Sequence, residues 1–172
     1  MTASSPTDIR VAVLTVSDRS HQGLREDLSG PVLQELVKDR GWQVAMAEIL
    51  PDEQGQLEAF FRRVCASGEA DLILTTGGTG LAPRDVTPEA TLAVIERSVP
   101  GLAEAIRAEG LRSTHHAMLT RSVAGVRART LIVNLSGSPR AAQEQFAVIA
   151  PALPHAVQLL REDPGAERGH TL

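Results

Sequence analysis

The stretch Thr75-Thr76-Gly77-Gly78-Thr79-Gly80 places three glycines directly after the apolar run 70–74, and Arg84-Asp85 and the helix start Thr87-Pro88 follow closely. Glycines at a strand end let backbone N–H groups turn toward an anion with no Cβ in the way, and a following helix adds partial positive charge. The chemistry this suits is phosphate binding. A Walker loop is excluded, because Gly80 is followed by Leu81-Ala82-Pro83 and not by Lys-Ser/Thr. A dinucleotide fingerprint is excluded too, since Pro83 stands where a third small residue is required. A glycine-rich turn without a ligand stays open as the plainer reading, although three glycines around Thr79 are more than a turn needs.

Other strand ends carry residues of the same kind. Arg84 suits neutralising phosphate, and Asp85 suits holding a cation or positioning a nucleophile; taken alone, Asp85 is equally an Asx-type turn residue. Asp52, in Leu50-Pro51-Asp52-Glu53-Gln54, ends one apolar run and opens a helical one, where it reads as an N-cap. Ser17-Asp18-Arg19 ends another run, and Asn134-Leu135-Ser136-Gly137-Ser138-Pro139 repeats the layout of strand, glycine turn and Ser-Pro helix start. Two carboxylates, Asp52 and Asp85, beside glycine anion cradles and without a Walker lysine suit Mg2+ held partly by substrate phosphates.

The remaining reactive residues form no pattern. His115 and His116 are adjacent and face apart, while His21, His155 and His170 are scattered, so no zinc site is expected. Cys65, within the helical pattern Leu57–Ser67, reads as a small buried apolar residue, and a single cysteine makes no internal disulfide. No nucleophile elbow is present. Arg121, Arg127 and Arg129 could add positive field to the ligand edge, but solvated surface is the plainer reading.

Such residues need a scaffold that brings strand ends together. A nearly unbroken β-branched and apolar run predicts a strand covered on both faces over 9–17, and further apolar runs predict strands over 43–50, 70–76 and 130–136. Helical spacing with Pro near the start or Gly at the end predicts helices over 29–41, 52–67, 87–99, 101–112 and, in pieces, 138–160. Residues 117–129 read as a short helix followed by a strand near Ser122–Val126. Residues 1–8 are expected to be a loose lead-in, 9–160 a single domain, and 161–172 a frayed tail. Alternating strands and helices imply right-handed crossovers and an α/β fold, a mostly parallel sheet between helices. Ligands then bind beyond the carboxyl ends of the strands, at the loops after Val16, Leu50, Leu74, Val126 and Leu135.

Composition narrows the partners. With 17 basic against 21 acidic residues, a net charge of −4, and only Trp42, Phe60, Phe61 and Phe146 as aromatics, the chain suits no nucleic acid. No apolar run approaches the roughly 20 residues of a membrane span, and the amino terminus lacks a signal-peptide layout, so a cytoplasmic protein with no membrane partner is expected.

The stretches Val11–Ser20, Glu26–Pro31, Leu50–Gln54, Thr75–Thr91, Pro100–Arg107 and Asn134–Pro139 resemble the molybdopterin adenylyltransferase family, of MogA/MoaB type, which also forms the G domain of gephyrin. The resemblance runs from about Ile9 to Leu160. It implies a three-layer α/β/α sandwich, commonly trimeric, acting late in molybdenum cofactor synthesis. The implied reaction transfers AMP from Mg·ATP to the terminal phosphate of molybdopterin and releases pyrophosphate, with hand-over to a molybdenum-insertion protein. Residue by residue, the family's two essential aspartates fall on Asp52 and Asp85, its glycine loop on Thr76, Gly77, Gly78, Thr79 and Gly80, and its pterin and nucleotide contacts near Ser17, Asp18, Asn134, Gly137, Ser138 and Pro139. Ser136 departs from the family's usual proline and is expected to loosen the last loop. A pterin-binding or scaffold protein without turnover, and more remotely a nucleotide hydrolase, are the rival readings.

Overall fold

Six strands form one sheet in the order β2-β1-β3-β6-β5-β4. The computed structural model describes residues 8–164 and residue 166; residues 1–7 of the expected lead-in, and 165 and 167–172 of the expected tail, lie outside the described residues. The strands are β1 (Arg10–Val16), β2 (Gln43–Leu50), β3 (Leu72–Thr76), β4 (Arg97–Ser98), β5 (Ala124–Arg127) and β6 (Thr130–Leu135). The helices are α1 (Asp18–His21), α2 (Ser29–Asp39), α3 (Gln54–Ser67), α4 (Thr87–Leu92), α5 (Pro100–Leu111), α6 (Pro139–Ile149) and α7 (Leu153–Leu160). A 3-10 turn covers His115–Leu119.

The two-residue period of the strands sorts their side chains into two cores. Val11 and Val13 of β1, Leu72 and Leu74 of β3, and Leu131 and Val133 of β6 face one way and pack with Leu33, Ile106, Phe146 and Val157 of α2, α5, α6 and α7. Ala12, Leu14, Ile73 and Ile132 face the other way, against Leu57, Phe61, Val64 and Ala90 of α3 and α4. The result is the expected three-layer α/β/α sandwich. Cys65 is buried in the second core, as expected, and burial pushes its thiol up from its ordinary value.

The four long strands pair in parallel, and their register makes their carboxyl ends flush: Val16 lies opposite Leu50, Thr15 opposite Thr76, and Thr76 opposite Leu135. From β1 the chain crosses to β2 on one side, then back over β1 to β3 on the other. The crevice where the winding reverses, between the ends of β1 and β3, is where ligands bind in such sheets.

Three expectations need correction. The helix expected over 87–99 stops at Leu92, and residues 97–98 form an edge strand instead, held by Glu96 N–H to Val126 O at 2.8 Å and Val99 N–H to Ala124 O at 2.9 Å. Strand β5 runs antiparallel to β6, so the loop after Val126 is a tight turn at the opposite end of the strands from the other four loops. Arg161, where the tail was expected to fray, holds the buried Asp71 at 2.7 Å.

Candidate functional site

Flush strand ends collect four loops around a cleft of about 690 Å³. Ser17 follows β1, Asp52 follows β2, Gly77 and Gly78 follow β3, and Gly137 to Pro139 follow β6; all line this cleft together with Thr76 and Asp85. A second hollow of about 490 Å³ lies on the other side of the glycine loop, lined by Thr79, Gly80 and His116 and sharing Gly77, Gly78, Asp85 and Gly137 with the first. The glycine loop is the wall between two compartments.

That wall is braced from both sides. Behind it, Thr87 donates its hydroxyl to Gly77 O at 2.9 Å and its N–H to Gly78 O at 3.1 Å; Thr91 donates to Thr87 O at 2.9 Å. Asn134 completes the brace, its fully buried amide donating to Thr91 Oγ1 at 2.9 Å and Thr75 Oγ1 at 3.1 Å. In front, Arg121 donates Nε to Gly80 O at 2.7 Å and Nη2 to Asp85 O at 2.6 Å, and pairs with Glu89. Gly77 has φ 105° and Gly78 has φ 64°, conformations that side chains rarely adopt. A Cβ on Gly77 would run into the Val16 carbonyl, and one on Gly78 into the Thr87 hydroxyl. Gly77 N–H is spent on Leu135 O at 3.1 Å, while the N–H groups of Gly78, Thr79 and Gly80 have no acceptor among the described residues. These three amides are the ones available to an anion.

The carboxylates arrive by different routes. Asp52 was expected to cap α3, but Glu53 holds the cap position and Asp52 reaches across to the loop after β1. Asp18 N–H donates to Asp52 Oδ2 at 2.9 Å, and Asp52 N–H donates to Asp18 Oδ1 at 3.1 Å. Burial pushes the Asp52 carboxyl above its ordinary value; the charges of Asp18 and Asp85 add to this, and the Asp18 N–H opposes it. Asp85 Oδ2 accepts from Ala82 N–H at 2.9 Å, and Asp85 N–H donates to Ala82 O at 2.9 Å, so it is an Asx-type turn residue as well as a cleft residue. Oδ1 of each aspartate has no hydrogen-bond partner among the described residues.

No cluster of three or more His, Cys, Asp or Glu suited to a metal exists among the described residues. Two carboxylates, each with one uncommitted oxygen, fit Mg2+, which takes one or two protein carboxylates and fills its shell from phosphates and water.

A family model described as "Probable molybdopterin binding domain" matches residues 12–155. The chain belongs to this family. It is 39% identical over 154 residues to the molybdopterin adenylyltransferase of Helicobacter pylori strain 26695, covering 88% of each chain. To the Escherichia coli K12 molybdopterin adenylyltransferase it is 35% identical over 173 residues, 92% of this chain and 88% of that one. It is 43% identical over 157 residues to the Drosophila melanogaster molybdenum cofactor synthesis protein cinnamon, of which it spans only 26%. Among solved structures, it is similar to the MoaB molybdopterin biosynthesis enzyme of Thermus thermophilus, with a TM-score of 0.85, 48% identity, and coverage of 91% of this chain and 98% of that one.

Within this molybdopterin-binding fold, the expected site residues divide. Ser17, Asp52, Thr76, Gly77, Gly78, Asp85, Gly137, Ser138 and Pro139 meet at the larger cleft, and Thr79 and Gly80 at the smaller hollow. Ser17 and Ser138 spend their side-chain oxygens as helix caps, accepting from Ser20 N–H at 3.2 Å and Ala141 N–H at 3.4 Å. Asn134 does not reach the cleft, because its place in β6 points its amide at the brace behind the glycine loop. Arg84 lines neither compartment: its guanidinium is held by Asp18 at 2.8 and 3.0 Å and by Glu53 at 3.1 Å. That pair holds the Asp18 carboxyl below its ordinary value.

Ser136 does not loosen its loop. Its N–H donates to Gln145 Oε1 at 2.8 Å, its hydroxyl accepts from Gln145 Nε2 at 2.8 Å, and its carbonyl accepts from Thr76 Oγ1 at 2.8 Å. A proline here could not donate the first bond; the glutamine clasp supplies rigidity instead. Three contributors have roles missed in the sequence, among them Arg121, which reads there more plainly as solvated surface. Arg121 acts on Gly80 and Asp85 from 41 and 36 residues away, and Gln145 reaches back nine residues across a loop to Ser136; no local pattern reveals either. Asp27 had a local signal, standing three residues before Gly30 at the start of α2, where its carboxylate accepts from Gly30 N–H at 3.0 Å and Thr15 Oγ1 at 2.6 Å.

Proposed function

We propose that this chain transfers the adenylyl group of ATP to the terminal phosphate of molybdopterin, in molybdenum cofactor biosynthesis. The observation that carries the reading is the meeting of Asp52 and Asp85, from the loops after β2 and β3, beside unpaired glycine-loop amides at the switch point of the sheet. The named adenylyltransferases at 35–39% identity support it.

In this reaction a phosphate oxygen of molybdopterin attacks the α-phosphorus of ATP. The new P–O–P bond forms as the α–β phosphoanhydride breaks, and its electron pair leaves on pyrophosphate. A phosphomonoester is already mostly ionised near neutral pH, so the nucleophile needs no protein base. What remains is positioning and neutralisation of charge. The amides of Gly78, Thr79 and Gly80 would hold phosphate oxygens. Asp52 and Asp85 would hold Mg2+ through their uncommitted oxygens, and that ion would supply neutralisation of the crowded phosphates. The two hollows sharing the glycine wall would give each substrate its own side of the reacting phosphorus, a reading their shared lining supports. A homotrimer, residence in the cytoplasm and hand-over of the product to a molybdenum-insertion protein belong to this same reading, resting on the family resemblance; no helix among the described residues is long and apolar enough to cross a membrane.

Mass spectrometry of the product made from molybdopterin and Mg·ATP tests the reading. Adenylyl-molybdopterin with stoichiometric pyrophosphate is expected. Bound but unchanged molybdopterin would favour a binding protein, and ATP loss without a pterin acceptor would favour a hydrolase.

A further inference from the structure

The cleft is lined by four carboxylates, on Glu26, Asp27, Asp52 and Asp85, and among the described residues by a single basic side chain, Arg25. Among the charged side chains lining the cleft, a ligand carrying phosphate therefore meets matching sign only at Arg25, beside the glycine amides. Arg84, placed by sequence beside the glycine loop, is committed elsewhere: two carboxylates occupy its guanidinium. Arg25 makes no side-chain hydrogen bond or ion pair with any described residue.

Its loop is fixed at both ends. Gly23 turns the chain with φ 72°, and Leu24 and Arg25 both donate N–H to Arg19 O, at 2.8 and 3.3 Å. Two residues further on, the Asp27 carboxylate ties the loop to β1 through Thr15 and to α2 through Gly30. An exposed arginine between two anchors, beside a cleft and in no ion pair with a described residue, is presented at no cost in broken ion pairs.

The geometry points to Arg25 as the cleft's phosphate-binding cation, recognising a phosphomonoester or phosphoanhydride oxygen of the ligand. This rests on the phosphate chemistry of the proposed function and names the side chain that sequence assigned to Arg84. Guanidinium matches phosphate geometry by paired N–H donors and keeps its charge at any working pH.

The test compares wild-type protein with Arg25→Gln, and with Arg19→Gln as a neighbouring cation outside the cleft. Isothermal titration with inorganic tripolyphosphate, Mg·ATP and molybdopterin, at low and high salt, gives the readout. Loss of a charge-assisted contact predicts binding weaker by roughly 10- to 100-fold in Arg25→Gln, with a shallower salt dependence. A loss confined to tripolyphosphate and Mg·ATP places Arg25 on the nucleotide phosphates, and a loss confined to molybdopterin places it on the pterin phosphate. Affinities within two-fold of wild type for every probe, or an equal loss in Arg19→Gln, overturn the proposal. A wild-type protein with Arg25-dependent phosphate binding but no adenylyl product would contradict the proposed function and leave Arg25 standing.

Discussion

Asp18 and Asp52 hold each other through their backbones, each N–H donating to the other's carboxylate, at 2.9 and 3.1 Å. Two like charges are thereby kept together, and Arg84, bidentate on Asp18, offsets one of them. The loop after β2 is thus pinned to the loop after β1, and Asp52 keeps one oxygen for the cleft.

Asp18→Ala removes the acceptor for Asp52 N–H and the partner of Arg84. The expected outcome is a folded protein, destabilised by about 1 kcal/mol, whose turnover falls by roughly 10- to 100-fold while its KM for ATP changes little. Thermal melts and steady-state kinetics check it. A raised KM with unchanged kcat would put Asp18 in ligand contact instead.

Gln145→Met keeps the length of the side chain and deletes both bonds to Ser136, leaving a half-buried N–H without an acceptor. Stability should fall by about 1–3 kcal/mol, with a several-fold rise in the KM for molybdopterin because Gly137 and Ser138 lose their support. Ser136→Ala, which deletes only the hydroxyl bond, should show a smaller effect on both. Denaturant melts and pterin titration read the two together.

Acid should expose a separate weakness just before β3, at the end of the sheet away from the cleft. Burial pushes the Asp71 carboxyl up, but hydrogen bonds from Arg10 and Arg161 override it and hold the pKa at about 2. An unfolded aspartate titrates near 3.9, so the folded pKa is the lower one. The stabilisation is complete above about pH 5 and is lost as pH falls toward 2, amounting to about 2–3 kcal/mol. Unfolding curves from pH 7 to pH 2 should show Asp71→Asn less stable at neutral pH and converging on wild type in acid. Parallel curves for the two proteins would contradict this.

The readable parts of the molecule were those whose cause is local. Apolar β-branched runs marked β1, β2, β3 and β6, and Ser138-Pro139 marked the start of α6, which Ser138 does cap. Strand β4 escaped because Arg97 and Ser98 are exposed and only two residues long; their pairing with β5 comes from tertiary hydrogen bonds that a helical pattern cannot show. The direction of β5 was equally invisible, so the loop after Val126 was placed at the wrong end of the strands. Arg84 looked like a phosphate ligand because its captors, Asp18 and Glu53, lie 66 and 31 residues away. Asn134 looked like a ligand residue for its type and its strand-end position, yet it shares a face with Ile132, toward α4, where Thr91 waits. Charge and polarity were legible; the partners that consume them were not.

Asp85 is the carboxylate on which adenylyl transfer turns, because it lines the cleft beside the glycine wall while one oxygen serves a local turn. Asp85→Asn keeps the size and the acceptor for Ala82 N–H and removes only the charge. The decisive measurement is single-turnover AMP transfer from Mg·ATP to molybdopterin, made on the same preparation as a thermal melt and a molybdopterin titration. A melting temperature within a few degrees of wild type and unchanged pterin binding are expected, with transfer slower by a factor on the order of 10²–10⁴. Wild-type transfer rates in a protein that merely melts earlier would show that Asp85 only shapes the turn and would contradict a catalytic role for its charge.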